Sequence, residues 1–377
     1  MKYLASTRAA RSIRFSASTR NRATFSACVR RCQMSQTNRN VHICPFLSKG
    51  RRLKARIALT VCAWATLLLQ TALAQNQPIE LQIPVGRSFR FVAYGDTRFT
   101  DPTDTEASNP QARRTLVQAI ADEHPAFISI GGDISYRGAN PNDWKVWDSE
   151  TEVWRDRKIL ILPALGNHDL KGDEGTALGN YFARFPEIER NRYYSMRAGN
   201  ILMLVLDSSL DETSGAQGTW LTAKLGSVPS NVDFVLIVLH HPPYSSSSDY
   251  KMFGGGHSAR SPERRLAQML EARQGQLRAR LVVFSGHIHN YERHEHAGIP
   301  FFVTGGGGAH AYPIERNPAD LFQSKDINYH YLLGEVDGGT LKLTMHRLDF
   351  KDGKAGWTVP DSLSVVAPAA MSAVGSK

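Results

Sequence analysis

Short apolar runs recur along the chain from residue 88 onward, and each is bounded by glycine, aspartate, asparagine or histidine. Apolar runs with such boundaries are typical of buried strands. The pattern predicts strands at Phe89–Tyr94, Ala126–Ile130, Ile159–Ala164, Ile201–Leu206, Phe234–Leu239 and Leu281–Phe284. Amphipathic segments separate these runs. Because strands and helices alternate along the chain, we expect an α/β layered domain.

The clearest helical pattern lies in residues 261–272. Ser261 is a candidate N-cap, and Pro262 suits the first turn of a helix. Three apolar side chains then fall on one helical face, namely Leu266, Met269 and Leu270. The spacing therefore predicts an amphipathic helix that covers part of the core.

A hairpin is predicted closer to the C terminus. Tyr329–Glu335 and Thr340–Leu348 alternate between apolar and polar residues on either side of Asp337-Gly338-Gly339. No internal repeat or long linker interrupts the sequence, so we predict one catalytic domain over about 80–350. Residues 351–377 are expected to form one more strand and then a tail of small residues.

The basic balance of the chain belongs to its first part. The formal charge is +10, but residues 1–74 hold 14 Lys and Arg and no acidic residue, whereas residues 75–377 hold 31 basic and 35 acidic residues. This distribution argues against a nucleic-acid partner. All four cysteines also lie before residue 75, so the remainder has no disulfide, cysteine nucleophile or thiolate metal site.

Residues 1–74 read as a basic leader that ends in a secretory signal. Basic residues at 49–56 precede the apolar run Ile57–Leu69, and Ala72-Leu73-Ala74 supplies the small residues of a cleavage site. We expect cleavage after Ala74 and a secreted or periplasmic mature protein; a retained membrane anchor is the alternative. The first 48 residues resemble a transit peptide, or they reflect a start upstream of the natural one.

Potential metal ligands follow five of the predicted strands. They occur in Gly95-Asp96, Gly132-Asp133-Ile134-Ser135-Tyr136, Gly166-Asn167-His168-Asp169, His240-His241 and Gly286-His287-Ile288-His289. Because the carboxyl ends of strands in an open α/β sheet meet at one crevice, these side chains should converge. Such oxygen and nitrogen donors suit divalent first-row metals or Fe(III).

The order of these motifs resembles the calcineurin-like metallophosphoesterase superfamily and, more narrowly, its purple-acid-phosphatase branch. That branch has Gly-Asp, Gly-Asp-x-x-Tyr, Gly-Asn-His-Asp/Glu, Val-x-x-His and Gly-His-x-His. The fourth motif differs here, because Ile237 replaces its valine before His240. The resemblance covers roughly residues 88–310. It implies a four-layer α/β/β/α sandwich with two metal ions at the carboxyl ends of the strands.

The resemblance also implies the metal ligands. One ion would bind Asp96, Tyr136 and His289, the other would bind Asn167, His240 and His287, and Asp133 would bridge both. Many superfamily members have a histidine two residues after the first aspartate, where this chain has Arg98. Tyr136 would supply the missing donor. Because a phenolate favours Fe(III), we expect Fe(III) paired with divalent Zn, Fe or Mn.

The same resemblance places His168 and His257 beside the substrate, with Asp169 either orienting the His168 imidazole or capping a loop. For Arg98, a contact with a phosphate oxygen and a surface ion pair both stay open. The expected function is hydrolysis of phosphate monoesters by a metal-bound hydroxide. The alternatives are a phosphodiesterase acting on nucleotides or lipid headgroups, and a non-catalytic protein that binds phosphate esters. A membrane partner is expected only if the leader is retained.

Overall fold

The computed structural model describes residues 77–84, 86–249 and 259–368. The strands, in chain order, are β1 (Ile79–Leu81), β2 (Phe89–Tyr94), β3 (Phe127–Ile130), β4 (Leu160–Pro163), β5 (Tyr194–Ala198), β6 (Ile201–Val205), β7 (Phe234–Val238), β8 (Arg280–Ser285), β9 (Tyr291–His296), β10 (Ile299–Thr304), β11 (Tyr329–Asp337), β12 (Thr340–Lys351), β13 (Lys354–Thr358) and β14 (Ser362–Val366). The helices are α1 (Pro110–Asp122), α2 (Pro141–Glu150), α3 (Glu152–Asp156), α4 (Glu174–Arg184), α5 (Gly215–Gly226) and α6 (Ser261–Gln274), with short 3-10 turns at Pro186–Ile188 and Ser246–Asp249.

The strands form two seven-stranded sheets. Sheet A has the order β1-β5-β6-β7-β8-β10-β9, and its central strands β6, β7, β8 and β10 are parallel. Sheet B has the order β13-β12-β11-β2-β3-β4, with β14 also paired to β12. In this sheet β2, β3 and β4 are parallel, while the β11–β12 hairpin is antiparallel. Each sheet therefore has a parallel part whose strands end on the same side.

The two sheets pack face to face and helices cover their outer faces. Residues of one parity on β6–β8, such as Met203 and Phe284, join sheet B and helices α1–α3 in one core. Residues of the other parity, such as Leu204, join α5 and α6 in a second core. The Phe91 and Phe284 rings meet edge to face across the sheets, with centroids 6.3 Å apart. The predicted four-layer α/β/β/α sandwich is confirmed.

Helix starts follow the local sequence, with one correction. Asn109 caps α1 by accepting a hydrogen bond from the Ala112 amide at 3.0 Å, and Pro110 is the first helical residue. The predicted Ser261 cap is wrong, because α6 includes Ser261 and Arg260 occupies the cap position without a side-chain hydrogen bond. Glu263 in the first turn suits the positive end of the helix dipole.

All six predicted strands are present, with small changes at their ends. The predicted hairpin is β11–β12, and Gly338 in its turn has φ of 52°, a conformation that favours glycine. The segment after residue 350 contains two paired strands, β13 and β14, where the sequence predicted one. The predicted leader 1–74, and the end of the predicted tail, residues 369–377, lie outside the described residues. Within the described ranges, no helix has the length and apolar character needed to cross a bilayer.

Candidate metal centre

The candidate ligands come from both sheets and lie just beyond the ends of parallel strands. Sheet B supplies three of them: Asp96 after β2, Asp133 after β3 and Asn167 after β4. Sheet A supplies His240 after β7 and the pair His287 and His289 after β8. The convergence predicted from the motif order is therefore what the fold produces.

Backbone conformation at these ends is unusual. Asp96, Asp133 and His287 have φ of 56°, 52° and 73°, values in the left-handed region that non-glycine residues adopt at a cost. Neighbouring glycines make room for this. A Cβ on Gly286 would lie 2.3 Å from Asp96 Oδ2, and a Cβ on Gly132 would lie 2.7 Å from His240 Nδ1. Three candidate ligands thus sit at strained turns where the strand ends meet.

The first group of candidate ligands is Asp96, Asp133 and His289. Their donor atoms lie within 4.8 Å of one another, and all three side chains are buried. Asp96 Oδ2 accepts a hydrogen bond from the His287 amide at 2.8 Å. In contrast, Asp96 Oδ1 and His289 Nε2 are buried 3.6 Å apart, and neither has a hydrogen-bond partner among the described residues. Two adjacent buried atoms thus have unused lone pairs or protons.

The second group surrounds His240. Its Nε2 lies 3.0 Å from Asn167 Oδ1, 3.4 Å from Asp133 Oδ1 and 3.2 Å from His287 Nδ1. The His240 Nδ1 is 2.8 Å from the Gly131 carbonyl, which can only accept, so Nδ1 carries the proton. A neutral His240 therefore turns a lone pair towards two oxygens that are also acceptors. A cation at this point would resolve the crowding of acceptors.

The imidazoles have the proton arrangement that a metal ligand needs. His289 Nδ1 donates to the His310 carbonyl at 2.7 Å, as His240 does to Gly131, so Nε2 of each neutral ring is left as the donor atom. Burial lowers the pKa of His240 and the pKa of His289. Both rings are consequently neutral at neutral pH, which is the form that binds metals.

The two aspartates differ in their electrostatic environments. Burial, and then the neighbouring Asp133 carboxylate, raise the pKa of Asp96. Burial acts in the same direction on Asp133, but it is outweighed and the pKa of Asp133 is lowered; with His240 neutral, the charge of Arg98 and the hydrogen bond from the His168 amide favour the anion. The Arg98 Nη2 is 3.2 Å from Asp133 Oδ2. Asp133 is thus held as an anion at the centre of the group, as a bridging ligand would be.

Tyr136 lies beside the group, with its ring stacked on His168 at a centroid distance of 5.3 Å. Arg137 and Lys171 lie over the same ring, at 5.0 Å and 4.9 Å from its centroid. The structure thus places Tyr136 next to the catalytic candidate His168, and its role as a metal ligand stays a prediction.

His168 is oriented by the backbone. Its Nδ1 donates to the Tyr136 carbonyl at 2.7 Å, and its own amide donates to Asp133 Oδ1 at 2.8 Å. Burial lowers the pKa of His168 to about 4. The ring is therefore neutral at neutral pH, with its proton on Nδ1. It can donate from Nε2 only after it gains a second proton, which a bound anion would favour.

The predicted orienting role of Asp169 is wrong, because its carboxylate is fully used elsewhere. Asp169 Oδ1 accepts from the amides of Ile134 and Ser135 at 2.9 and 3.0 Å, and Oδ2 accepts from Gly166 at 2.9 Å. This buried carboxylate ties the loop after β3 to the loop after β4. The alternative given for Asp169, a loop cap, matches these contacts.

Several neighbours of the site complete its surroundings. His257, the third catalytic candidate, lies outside the described residues. His241 packs against His287 with ring centroids 4.5 Å apart, and its Nδ1 lies 2.8 Å from Ser208 Oγ. Sequence reasoning did not single out Ser208 or the carbonyl of His310. Arg98 forms an ion pair with the buried Asp133. This contact alone does not decide between the two roles left open for Arg98, a phosphate contact and a surface ion pair.

The donor set fits a pair of metal ions. Cations would satisfy three separate features of the site. These are two buried atoms without partners, several acceptors around His240 Nε2, and neutral imidazoles whose Nδ1 donates to a backbone carbonyl. Asp133 lies between the two groups, with Oδ1 near His240 and Oδ2 near Arg98. The arrangement can therefore hold two ions around one shared carboxylate.

Comparison with known families agrees with this geometry. The family model for calcineurin-like phosphoesterases matches residues 89–291, more than half of the chain. The chain belongs to this family. The matched region contains every candidate ligand.

Purple acid phosphatases are among the curated relatives of this chain. Purple acid phosphatase 22 of Arabidopsis thaliana is 26% identical over 256 residues, which is 62% of this chain and 56% of the relative. Purple acid phosphatase 23 of the same plant is 28% identical over 247 residues, 55% of this chain and 51% of the relative. The chain therefore spans about half the length of these relatives.

Solved structures support the fold. Purple acid phosphatase PPD1 from yellow lupin (Lupinus luteus) seeds superposes with a TM-score of 0.57 at 18% identity, covering 77% of this chain and 55% of that one. GAP50, the anchor in the inner membrane complex of Plasmodium, gives a TM-score of 0.52 at 18% identity, covering 75% of this chain and 90% of that one. At these identities the likeness concerns the fold alone.

Proposed function

We propose that this chain is a metal-dependent phosphoesterase that hydrolyses phosphate monoesters at a dinuclear centre. One ion would be held by Asp96, Tyr136 and His289, and the other by Asn167, His240 and His287, with Asp133 shared between them. The observation that carries the proposal is the pair of buried atoms without partners, Asp96 Oδ1 and His289 Nε2, 3.6 Å apart.

Two bound ions would supply a clamp for the phosphoryl oxygens and an acidified water as nucleophile. The chain's own residues do the rest. Strained turns at Asp96, Asp133 and His287 fix the donor atoms before substrate arrives, which removes reorganisation from the reaction. His168, held at Nδ1 by the Tyr136 carbonyl, presents Nε2, which can stabilise phosphoryl oxygens or protonate the leaving group once the bound anion has favoured its protonation.

The proposal for the metals is Fe(III) with a divalent ion, zinc, iron or manganese. It rests on Tyr136, since a phenolate is a hard anionic donor that suits a trivalent cation. Phenolate donation into Fe(III) should give a visible charge-transfer band. Tyr136→Phe should bleach this band and leave the fold intact. Active wild-type protein that is colourless and contains no iron would refute the metal assignment and leave the phosphoesterase assignment standing.

The phosphoesterase proposal itself is tested by metal analysis combined with a panel of monoesters and diesters. We expect two metal ions per chain and faster turnover of monoesters. Faster diester turnover would favour the phosphodiesterase alternative. Ester binding without turnover of any substrate would favour a non-catalytic role.

The place of action is proposed to be outside the cytoplasm. The basic leader and its Ala72-Leu73-Ala74 ending support cleavage after Ala74 and a secreted or periplasmic mature protein. N-terminal sequencing of protein recovered from the native envelope or medium should give Gln75 as the first residue. An intact leader on active membrane-bound protein would instead favour a retained anchor.

A further inference from the structure

We propose that Arg98 binds the third terminal oxygen of a phosphate monoester and thereby selects monoesters over diesters. The inference rests on the proposed function. A monoester dianion has three terminal oxygens, of which two ions can engage two, whereas in a diester the third is esterified. A guanidinium beside the ions would recognise the remaining oxygen through its fixed fork of N–H donors.

The side chain of Arg98 lies at the right place. Its Nη2 is 3.2 Å from Asp133 Oδ2, the carboxylate proposed to be shared by both ions. Its Nε is buried and has no hydrogen-bond partner among the residues that the structure describes. The side chain is 14% exposed, so part of it can be reached from solvent. The guanidinium thus has an unused buried donor next to the proposed position of the phosphoryl group.

The backbone that carries Arg98 is fixed from two sides. Arg98 has φ of 45°, and its amide donates to the Asp133 carbonyl at 2.9 Å. Its carbonyl accepts from Nη1 of Arg113 at 3.2 Å. Arg113 is fully buried and forms a two-pronged ion pair with Glu150, at 2.8 and 3.0 Å. A buried ion pair thus holds the loop, so that Arg98 is positioned before a ligand binds.

The charge of Arg98 is felt throughout the centre. Burial is the largest influence on the pKa of each group in the centre. The positive charge of Arg98 acts on all of them in the lowering direction: it opposes the rise in the pKa of Asp96 and helps to lower the pKa of Asp133. It also adds to the lowering of the pKa of the three histidines His168, His240 and His289. Once cations share the Asp133 carboxylate, this carboxylate can no longer balance Arg98 alone. A dianionic phosphate supplies more of the missing negative charge than a monoanionic diester does.

The decisive experiment compares Arg98→Gln with wild type and with the control Arg137→Gln. Arg137 is half-exposed and also carries a positive charge beside Tyr136, but no contact joins it to Asp133 within the described ranges. Three quantities are measured on metal-loaded protein: metal content, calorimetric affinity for inorganic phosphate, and kcat/KM for p-nitrophenyl phosphate and bis(p-nitrophenyl) phosphate.

We expect Arg98→Gln to keep both metals, to lose about 10- to 100-fold in phosphate affinity and in monoester kcat/KM, as expected for a lost charged hydrogen bond, and to change the diester value by less than about 3-fold. Arg98→Lys keeps the charge without the forked N–H donors, so its phosphate affinity and monoester kcat/KM should lie between those of wild type and Arg98→Gln. Arg137→Gln should resemble wild type in all three measurements.

Equal losses for both esters, or a loss of bound metal, would overturn the inference and make Arg98 only the ion-pair partner of Asp133. Unchanged phosphate affinity would overturn it as well. If wild type hydrolyses neither ester while Arg98→Gln still weakens phosphate binding, the proposed function fails and the assignment of Arg98 as a phosphate ligand survives without its selectivity.

Discussion

Two buried groups in this protein have the same kinds of side chain and differ in how their polar atoms are used. The first is Asp96, Asp133 and His289, and the second, here called the Glu292 cluster, is Glu292, His294 and Asp320. In each group the donor atoms lie within 4.8 Å of one another. By composition and spacing alone, both would be candidate metal sites.

In the Glu292 cluster every carboxylate oxygen has a donor. Glu292 Oε1 accepts from Ser245 at 3.0 Å, and Oε2 accepts from the Ser246 amide at 2.6 Å and lies 2.9 Å from His294 Nε2. Asp320 accepts from two backbone amides and from Ser246 Oγ, and Arg316 Nη1 lies 2.7 Å from its Oδ2. This cluster ties β9 to the segments around residues 246 and 320.

Between these two groups, unsatisfied atoms rather than acidic residues as such distinguish the candidate metal centre. Asp96 Oδ1 and His289 Nε2 are buried without a partner in the described part of the chain. In the Glu292 cluster, an arginine and several backbone amides occupy the positions that a metal ion would otherwise fill. A folded protein rarely leaves buried polar atoms without partners unless something else satisfies them.

The largest expected difference concerns metal binding. Asp133→Asn should lose nearly all bound metal and turnover, because a neutral amide cannot hold two cations together. Asp320→Asn should keep the metal content of wild type. Metal analysis of both variants after identical loading checks this. A metal-free Asp320→Asn protein would make the Glu292 cluster a metal site and erase the distinction between the groups.

The next effect separates a catalyst from the ligands around it. His168→Ala should keep both metals and reduce turnover by about 10²- to 10⁴-fold, as is typical for the loss of an acid–base group. Steady-state kinetics and metal analysis on the same preparation test this. If metal content falls as far as it does in Asp133→Asn, His168 belongs among the ligands.

Stability of the metal-free protein should show the reverse order. Asp320→Asn leaves Arg316, 1% exposed, without its anionic partner and should cost about 3–5 kcal/mol in the free energy of unfolding. Asp96→Asn should cost no more than about 1 kcal/mol, because burial already disfavours its charged form. Urea unfolding in the presence of a chelator measures both values. Equal losses would show that the Asp96 carboxylate also stabilises the fold.

A further buried acidic pair, Glu212 and Glu263, should make stability depend on pH. Burial and the nearby Glu263 raise the pKa of Glu212 to about 8. The folded state therefore keeps a proton that the unfolded state releases above its ordinary pKa of about 4.3, so stability falls as pH rises between these values, by at most about 1.4 kcal/mol per pH unit. Glu212→Gln should flatten this slope. Unfolding curves at pH 5.5, 6.5 and 7.5 test it; parallel pH profiles for wild type and variant would contradict it.

The sequence predicted what depends on strand ends and missed what depends on distant partners. Buried parallel strands are often continuous apolar runs, so β2, β3, β4, β6, β7 and β8, and the residues that follow them, could be recognised, although β10, which is apolar, buried and parallel to β8, was not predicted. Strand β9 escaped because Tyr291–His296 is largely polar, and its polar side chains are buried by partners far along the chain.

The error about Asp169 has a similar cause. Its neighbour His168 suggested a side-chain partner, but the partners are backbone amides at positions 134, 135 and 166 that carry no sequence signature. Arg113 is a comparable case, because nothing near it in sequence shows that its side chain reaches the carbonyl of Arg98. Networks of this kind become visible only when the loops are folded together.

Because the candidate ligands come from both sheets, an ion held there would cross-link the two sheets of the sandwich. Each filled position would oppose separation of the sheets, and an ion at a hundred times its dissociation constant would stabilise the folded chain by about 2.7 kcal/mol. Proteases act on opened chains, so chains with a full centre would outlast those with an empty one. The lifetime of the protein would then record the metal supply of its surroundings.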